Sequence, residues 1–253
     1  MKVLARLFAI AIVVFAAVTF LEIGTPRAQA PEEPKNLKVL PKNMSRREVI
    51  GIMRSFTQSL GVRCIECHVS TKEGSERPED MDYAADKKES KETARKMMKM
   101  LGNINDQIAK MGLKDTLQIR CVTCHRGLKR PETLIAVMSK SVEKDGADTA
   151  IGNYRKLREQ YYGTGSYDFS PMTLNEVARD VAETRKDYPT AIKLIQLNLE
   201  FAPKDANSYA MLGNVQMTSG DKAAAITSLE KALEIDPQHR WAKMQLDQAK
   251  GGR

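Results

Sequence analysis

Cys64-Ile65-Glu66-Cys67-His68 and Cys121-Val122-Thr123-Cys124-His125 repeat one pattern, C-x-x-C-H, and use all four cysteines and two of the three histidines of the chain. The spacing has a chemical reason. Two thiols so placed reach the two vinyl groups of one porphyrin, and the adjacent imidazole is held against the iron as proximal ligand. A disulfide leaves both histidines without a role, and a zinc site more often uses C-x-x-C pairs without a His after each. The motifs therefore predict two covalently attached c-type haems. Cys64, Cys67, Cys121 and Cys124 are the thioether anchors, and His68 and His125 the iron ligands.

Working outward, a helix precedes each motif. Ser45-Arg46-Arg47-Glu48 is a capping box. Val49, Ile52, Met53, Phe56 and Leu60 recur on one helical face, and Gly61 suits the residue that closes a helix. From about Tyr83 to Met111, a second stripe holds Ala94, Met97, Leu101, Ile104, Ile108 and Met111, opposite Lys88, Lys91, Lys99 and Asn103, and Gly112 breaks it. Residues 31–44 read as an extended arm and 69–82 as a surface loop. Each iron needs a sixth ligand, and the remaining histidine, His239, lies far along the chain. Methionine is the available donor, and thioether ligation raises the reduction potential. Met53 lies on the first apolar face. On the second, Met97 and Met111 lie on the stripe and Met98 and Met100 off it. The competing role of any such methionine is core filler.

Several stretches together resemble the photosynthetic reaction-centre cytochrome c subunit family, over residues 36–131. They are Asn36-Leu37-Lys38-Val39-Leu40, Leu60-Gly61-Val62-Arg63 with the first motif, Ala94-Arg95-Lys96-Met97-Met98-Lys99-Met100 with Ile104-Asn105, and the second motif with Arg126-Gly127. The resemblance implies units of helix, turn and C-x-x-C-H with a helix methionine as distal ligand. It puts Met53 and Met97 in that role, with Met100 the alternative for the second haem. The best-known members carry four haems, one with a distal His from between the first two motifs. This chain has two motifs and no His between His68 and His125. Many members are lipid-anchored, for which this chain has no cysteine. The resemblance thus implies a haem module and leaves the reaction centre unassigned as partner.

The N-terminus reads as a secretory signal peptide. Lys2 and Arg6 form a basic start, Leu7 to Leu21 is apolar apart from Thr19, and Ala28-Gln29-Ala30 is a cleavage signal. This predicts a periplasmic or otherwise extracytoplasmic protein. The alternative, an N-terminal membrane anchor, has a run shorter than the roughly 20 residues a span needs. Cleavage removes three of the 40 basic and one of the 32 acidic residues, and haem propionates offset more of the net charge of +8. With no aromatic-and-basic stripe either, a nucleic-acid partner is not expected. The expected partners are redox proteins, including those of a membrane-associated electron-transfer complex.

A repeat closes the chain. Ala191 and Ala225, Ile192 and Ile226, and Pro203 and Pro237 are each 34 apart, the tetratricopeptide period. Leu212-Gly213 supplies a close-packing small residue and Gly220-Asp221 a turn, whereas Ala178-Arg179 at the equivalent position marks a degenerate repeat. The pattern predicts repeats over 171–204 and 205–238 and a cap from Trp241 to Lys250. Such arrays need about three units to be stable, so these lean on residues 138–165 or on a partner. Tyr161-Tyr162-Gly163-Thr164-Gly165 reads as a hinge between the halves.

The expected fold is mainly α, a helix–turn–C-x-x-C-H dihaem module followed by a short α-solenoid. The expected divisions are a signal peptide (1–30), a dihaem cytochrome c domain (31–137), a helical linker (138–170) and a repeat domain (171–253). The expected function is electron carriage between redox partners rather than catalysis, with the repeats for docking. The alternatives are a dihaem peroxidase and a haem-containing assembly or scaffold protein.

Overall fold

A computed structural model describes residues 33–113 and 117–251. The predicted signal peptide, and with it the anchor alternative, lies outside the described residues. Among the described residues, ten α-helices carry the fold: α1 Arg46–Leu60, α2 Glu89–Lys110, α3 Cys121–His125, α4 Leu134–Asp145, α5 Ala147–Tyr161, α6 Pro171–Thr184, α7 Tyr188–Phe201, α8 Ala206–Thr218, α9 Lys222–Ile235 and α10 Arg240–Ala249. The segment 69–82, expected as a loop, closes as a small antiparallel pair, β1 (Val69–Ser70) against β2 (Met81–Asp82), with Val69 opposite Asp82.

The capping box forms as predicted. The Ser45 N–H donates to Glu48 Oε2 at 2.8 Å, and the Glu48 N–H donates to Ser45 Oγ at 3.4 Å. Helix α1 ends at Gly61 with φ +66. Here glycine serves packing as well as the turn: a Cβ at this position would sit 2.2 Å from the carbonyl oxygen of Gly127. The close approach lets the Gly127 N–H donate to the Ser59 carbonyl at 2.8 Å and brings α1 against α3.

Helix α2 starts at Glu89, six residues later than the apolar stripe suggested. The cause is local. The Asp82 carboxylate accepts the N–H groups of Ala84 and Ala85 at 3.0 and 2.9 Å, a bend that competes with helix. Lys91 then donates to the carbonyls of Tyr83, Ala84 and Ala85 at 2.9, 3.1 and 2.8 Å. Asp86 anchors the bend to the arm and to α2. It accepts from Arg95 at 2.8 Å, Lys38 at 2.6 Å and Asn36 at 3.0 Å. Those bonds, Arg95 first, hold its carboxyl far below the usual carboxylate range. The stretch 36–38 of the arm is therefore tied down.

The second half is a solenoid with a continuous interior. Met138, Ala150, Tyr154, Leu174, Val177, Leu194 and Ile195 belong to one buried cluster, which spans α4 to α8. The segment expected as a linker thus forms most of α4 and α5 and shares the core of α6 and α7. With α8 and α9 this makes three stacked helix pairs, about the number a solenoid needs to stand. A second cluster, with Ala210, Leu229 and Ala242, seats α10 as the cap. Asp187, Asp205 and Asp221 cap α7, α8 and α9 by accepting the N–H group three residues on, at 3.2, 2.8 and 3.0 Å. A Cβ at Gly213 would lie 2.6 Å from Leu229 Cγ, so α8 and α9 meet closely there. The turn before α9 uses Gly220 at φ +92, and the degenerate repeat keeps that geometry with Lys186 at φ +57.

The stretch Tyr161–Gly165, expected as a hinge between the halves, joins α5 to α6, and both helices lie in one core. Aromatic contacts hold it. Tyr161 meets Tyr167 at 5.3 Å, and Phe169 meets the buried Tyr154 at 5.7 Å.

Candidate functional site

Residues 33–131 are built differently. Among the described residues here, the buried hydrophobic ones are Met81, Ile108 and Leu128, and none belongs to the two clusters above. What organises this half is the pair of C-x-x-C-H turns. In the first, the chain leaves α1 through Gly61 and turns at Cys64–Glu66. The Cys64 carbonyl accepts the N–H of Cys67 at 3.2 Å and of His68 at 3.0 Å. The second is α3 itself, whose first turn closes with the Arg120 N–H donating to Thr123 Oγ1 at 3.0 Å. A helical turn puts residues three and four apart on one side. Each turn therefore presents both thiols and the following imidazole together. No disulfide joins the four cysteines; Cys64 and Cys124 are exposed and Cys67 and Cys121 half-buried. Burial pushes the Cys67 thiol up.

The imidazoles are set for ligation. His125 is buried, and its Nδ1 lies 2.9 Å from the Leu128 carbonyl. A carbonyl only accepts, so Nδ1 carries the proton and the Nε2 lone pair remains for a metal. The Nδ1 of His68 is buried and has no hydrogen-bond partner among the described residues. The Tyr83 ring meets that of His68 edge-on at 5.1 Å. Burial, helped by Lys91, holds His68 below its ordinary pKa, in the neutral form a ligand needs.

Helix α2 runs from one motif to the other, about 33 Å for its 22 residues. At its start, Ser90 donates to the Glu66 carbonyl at 2.5 Å and Lys88 donates to that of Ile65. Near its end, the Asn105 side chain holds the Ile119 backbone with two bonds of 2.9 Å. An ion pair from Glu66 to Lys129 ties the motifs to each other. Sequence reading missed these braces, although Asn105 stands among the residues that carry the family resemblance.

The methionines fall on both sides of this frame. Met53 is half-buried on α1. On α2, the protein-facing side is Ala94, Arg95, Met98, Asn105 and Ile108, all buried or half-buried. Met97 (38%), Met100 (47%), Ile104 (37%) and Met111 (69%) are exposed, as is Val122 of α3 (42%). A run of exposed large apolar side chains along one helix marks a site for an apolar group. Together with paired cysteines in helical turns and a proton-fixed imidazole, it fits a porphyrin held by C-x-x-C-H. His239 stands apart as a cap of α10. Its Nδ1 accepts from Ala242 N–H at 3.2 Å, and its Nε2 donates to Asn207 Oδ1 at 3.1 Å.

A helical module with C-x-x-C-H turns, continuous with a tetratricopeptide solenoid, is the class these elements define. Residues 72–191 match the family of the photosynthetic reaction centre cytochrome C subunit, and residues 206–239 match a tetratricopeptide repeat. The two matches follow one another in the order the motifs imply. The cytochrome match starts after the first motif, takes in Met97 and the second motif, and ends inside α7. A region of this family implies covalently bound haem c, and tetratricopeptide domains mediate protein–protein contacts. Two solved structures are similar over 46% of this chain. The first tetratricopeptide domain of Spaghetti (RPAP3), bound to an HSP90 peptide, is 19% identical, with 87% of its chain covered and a TM-score of 0.32. The second such domain of human RPAP3, in complex with an HSP70 peptide, is 16% identical, with 92% covered and a TM-score of 0.33. No curated protein matches the chain.

Proposed function

We propose that this chain is an exported electron-transfer protein that holds two c-type haems and docks a redox partner through its repeats. The observation that carries the reading is the duplication of one unit. In each, a helix bearing a methionine precedes a turn that presents two thiols and an imidazole. When bound, haem c supplies a reversible one-electron couple at its iron. The residues of the chain do the rest. Cys64 and Cys67, and Cys121 and Cys124, anchor the ring edges. His68 and His125 would supply the imidazole ligands and Met53 and Met97 the thioether donors. The apolar side chains of α1 and α2 would help exclude water from a bound haem, which favours a stable low-spin carrier over a reactive open site. Export is supported by the N-terminal signal pattern, and a partner in a membrane-associated electron-transfer complex fits that location. Docking is supported by the solenoid, whose stacked helices offer an extended surface.

The test is a redox titration with optical spectroscopy on the purified protein, its haem content set by mass and by a pyridine haemochrome assay. Two haems and two low-spin steps are expected. Met97→Ala is expected to lower one potential and open that haem to external ligands, while Met100→Ala leaves both steps in place. A single haem, or a spectrum and potentials unchanged by Met97→Ala, would sink the assignment.

A further inference from the structure

The exit turn of the second motif, Arg126–Leu128, is gripped from two sides. From the cytochrome side, the Ser59 carbonyl accepts the Gly127 N–H at 2.8 Å. From the solenoid side, Ser166, 3% exposed, donates its hydroxyl to the Arg126 carbonyl at 2.7 Å. Between these grips the backbone is left-handed at two successive residues, Arg126 at φ +48 and Gly127 at φ +84. A non-glycine residue holds that conformation only at a cost in backbone strain, so the turn needs outside contacts to persist. The same turn offers the Leu128 carbonyl to His125 Nδ1.

Ser166 is itself fixed by the solenoid. Its hydroxyl lies 2.9 Å from that of Thr164, and its neighbours Tyr167 and Phe169 meet at 6.2 Å in the aromatic cluster around Tyr154. A continuous path runs from the core of α5, through Ser166 and the Arg126 carbonyl, to the imidazole of His125.

We propose that Ser166 is a positioning residue for His125, by which the solenoid sets the ligand strength of that imidazole and hence the potential of the second haem. This rests on the reading of His125 as a haem ligand. The bond from Nδ1–H to a carbonyl raises the basicity of the imidazole. A more basic ligand favours the oxidised iron, so loosening the turn raises the potential, opposite in direction to loss of a methionine ligand.

The experiment compares wild type, Ser166→Ala and Ser166→Thr as full-length haem-loaded protein. The readouts are redox titration, hyperfine-shifted proton NMR and amide exchange at Gly127. Ser166→Ala is expected to raise one midpoint potential, leave the other in place, move the ligand signals of one haem and speed exchange at Gly127. Ser166→Thr, which keeps the hydroxyl, is expected to restore them. A folded Ser166→Ala protein with both potentials and the ligand signals unchanged overturns the proposal. Should Ser166→Ala not fold, Thr164→Val at the exposed neighbour is expected to give the same upward shift in smaller measure, and no shift there overturns it. A wild-type protein with fewer than two haems overturns the functional reading itself, which separates the two failures.

Discussion

Gly61→Ala tests the contact that joins the two motif units. The added Cβ meets Gly127 O at 2.2 Å and Gly127 C at 3.1 Å, both backbone atoms that no rotamer change can move. Relief requires the units to part by roughly 1.2 Å or more to reach ordinary contact distance. That stretches the 2.8 Å bond from Gly127 N–H to the Ser59 carbonyl. The left-handed φ of +66 adds its own strain. Loss of the bond costs about 1 kcal/mol, overpacking about 1–3 kcal/mol and the conformation about 1–2 kcal/mol. The expected destabilisation is about 3–6 kcal/mol. Gly74→Ala is the control, because Gly74 has φ +70 and nothing within 4 Å of the added atom. It carries the conformational cost alone, about 1–2 kcal/mol. Urea unfolding of the purified variants, followed by haem absorbance for the cytochrome half and by far-UV circular dichroism for the helices, measures both. If Gly61→Ala proves no worse than Gly74→Ala, the two units do not meet at Gly127 and the reasoning fails.

Three further outcomes are expected. Gly213→Ala places a Cβ 2.6 Å from Leu229 Cγ and 3.1 Å from the Ala225 carbonyl, and is expected to destabilise the solenoid by about 1–3 kcal/mol in thermal melts; an unchanged midpoint would contradict close packing of α8 on α9. Lys186→Gly relieves a left-handed residue at φ +57 and is expected to stabilise the same unit by roughly 1 kcal/mol, whereas a loss would mean that the lysine side chain contributes more than the strain costs. Asp86→Asn acts through pH. Because Arg95, Lys38 and Asn36 depress the Asp86 carboxyl, its contribution is complete above the ordinary carboxylate range, about pH 4, and is lost as pH falls below it. Wild type is expected to lose stability on acidification below that point more steeply than Asp86→Asn, with the variant cleaved faster by protease near residues 36–38 at neutral pH; matching acid limbs would refute the role of this hub.

What could be read in the sequence was local. C-x-x-C-H fits within one helical turn, so Cys121, Cys124 and His125 declare themselves without any knowledge of the fold. The capping box at Ser45, the left-handed Gly61 and the 34-residue period depend on backbone geometry over one turn or one repeat, and the structure shows them in place. The start of α2 was misread because periodicity alone does not see Asp82 taking the N–H groups of Ala84 and Ala85. The exposed side of α2 was only half legible. Met97 lies on the predicted stripe, yet Met98, off it, faces the protein and Met100 is exposed beside Met97, since the facing surface is set by what holds each end of the helix.

Residue type and short-range spacing thus carried the haem-attachment motifs, the order of the two modules and the cap and close of α1, but not the start of α2. Tertiary structure alone decided how the pieces join. Asp86 reaching Asn36 and Lys38, Glu66 paired with Lys129, α4 and α5 entering the solenoid core, and Ser166 holding the turn after His125 all link residues far apart in the chain. No local pattern encodes such contacts. They exist because burying apolar helix faces brings distant segments together, and the polar groups carried with them must then find partners.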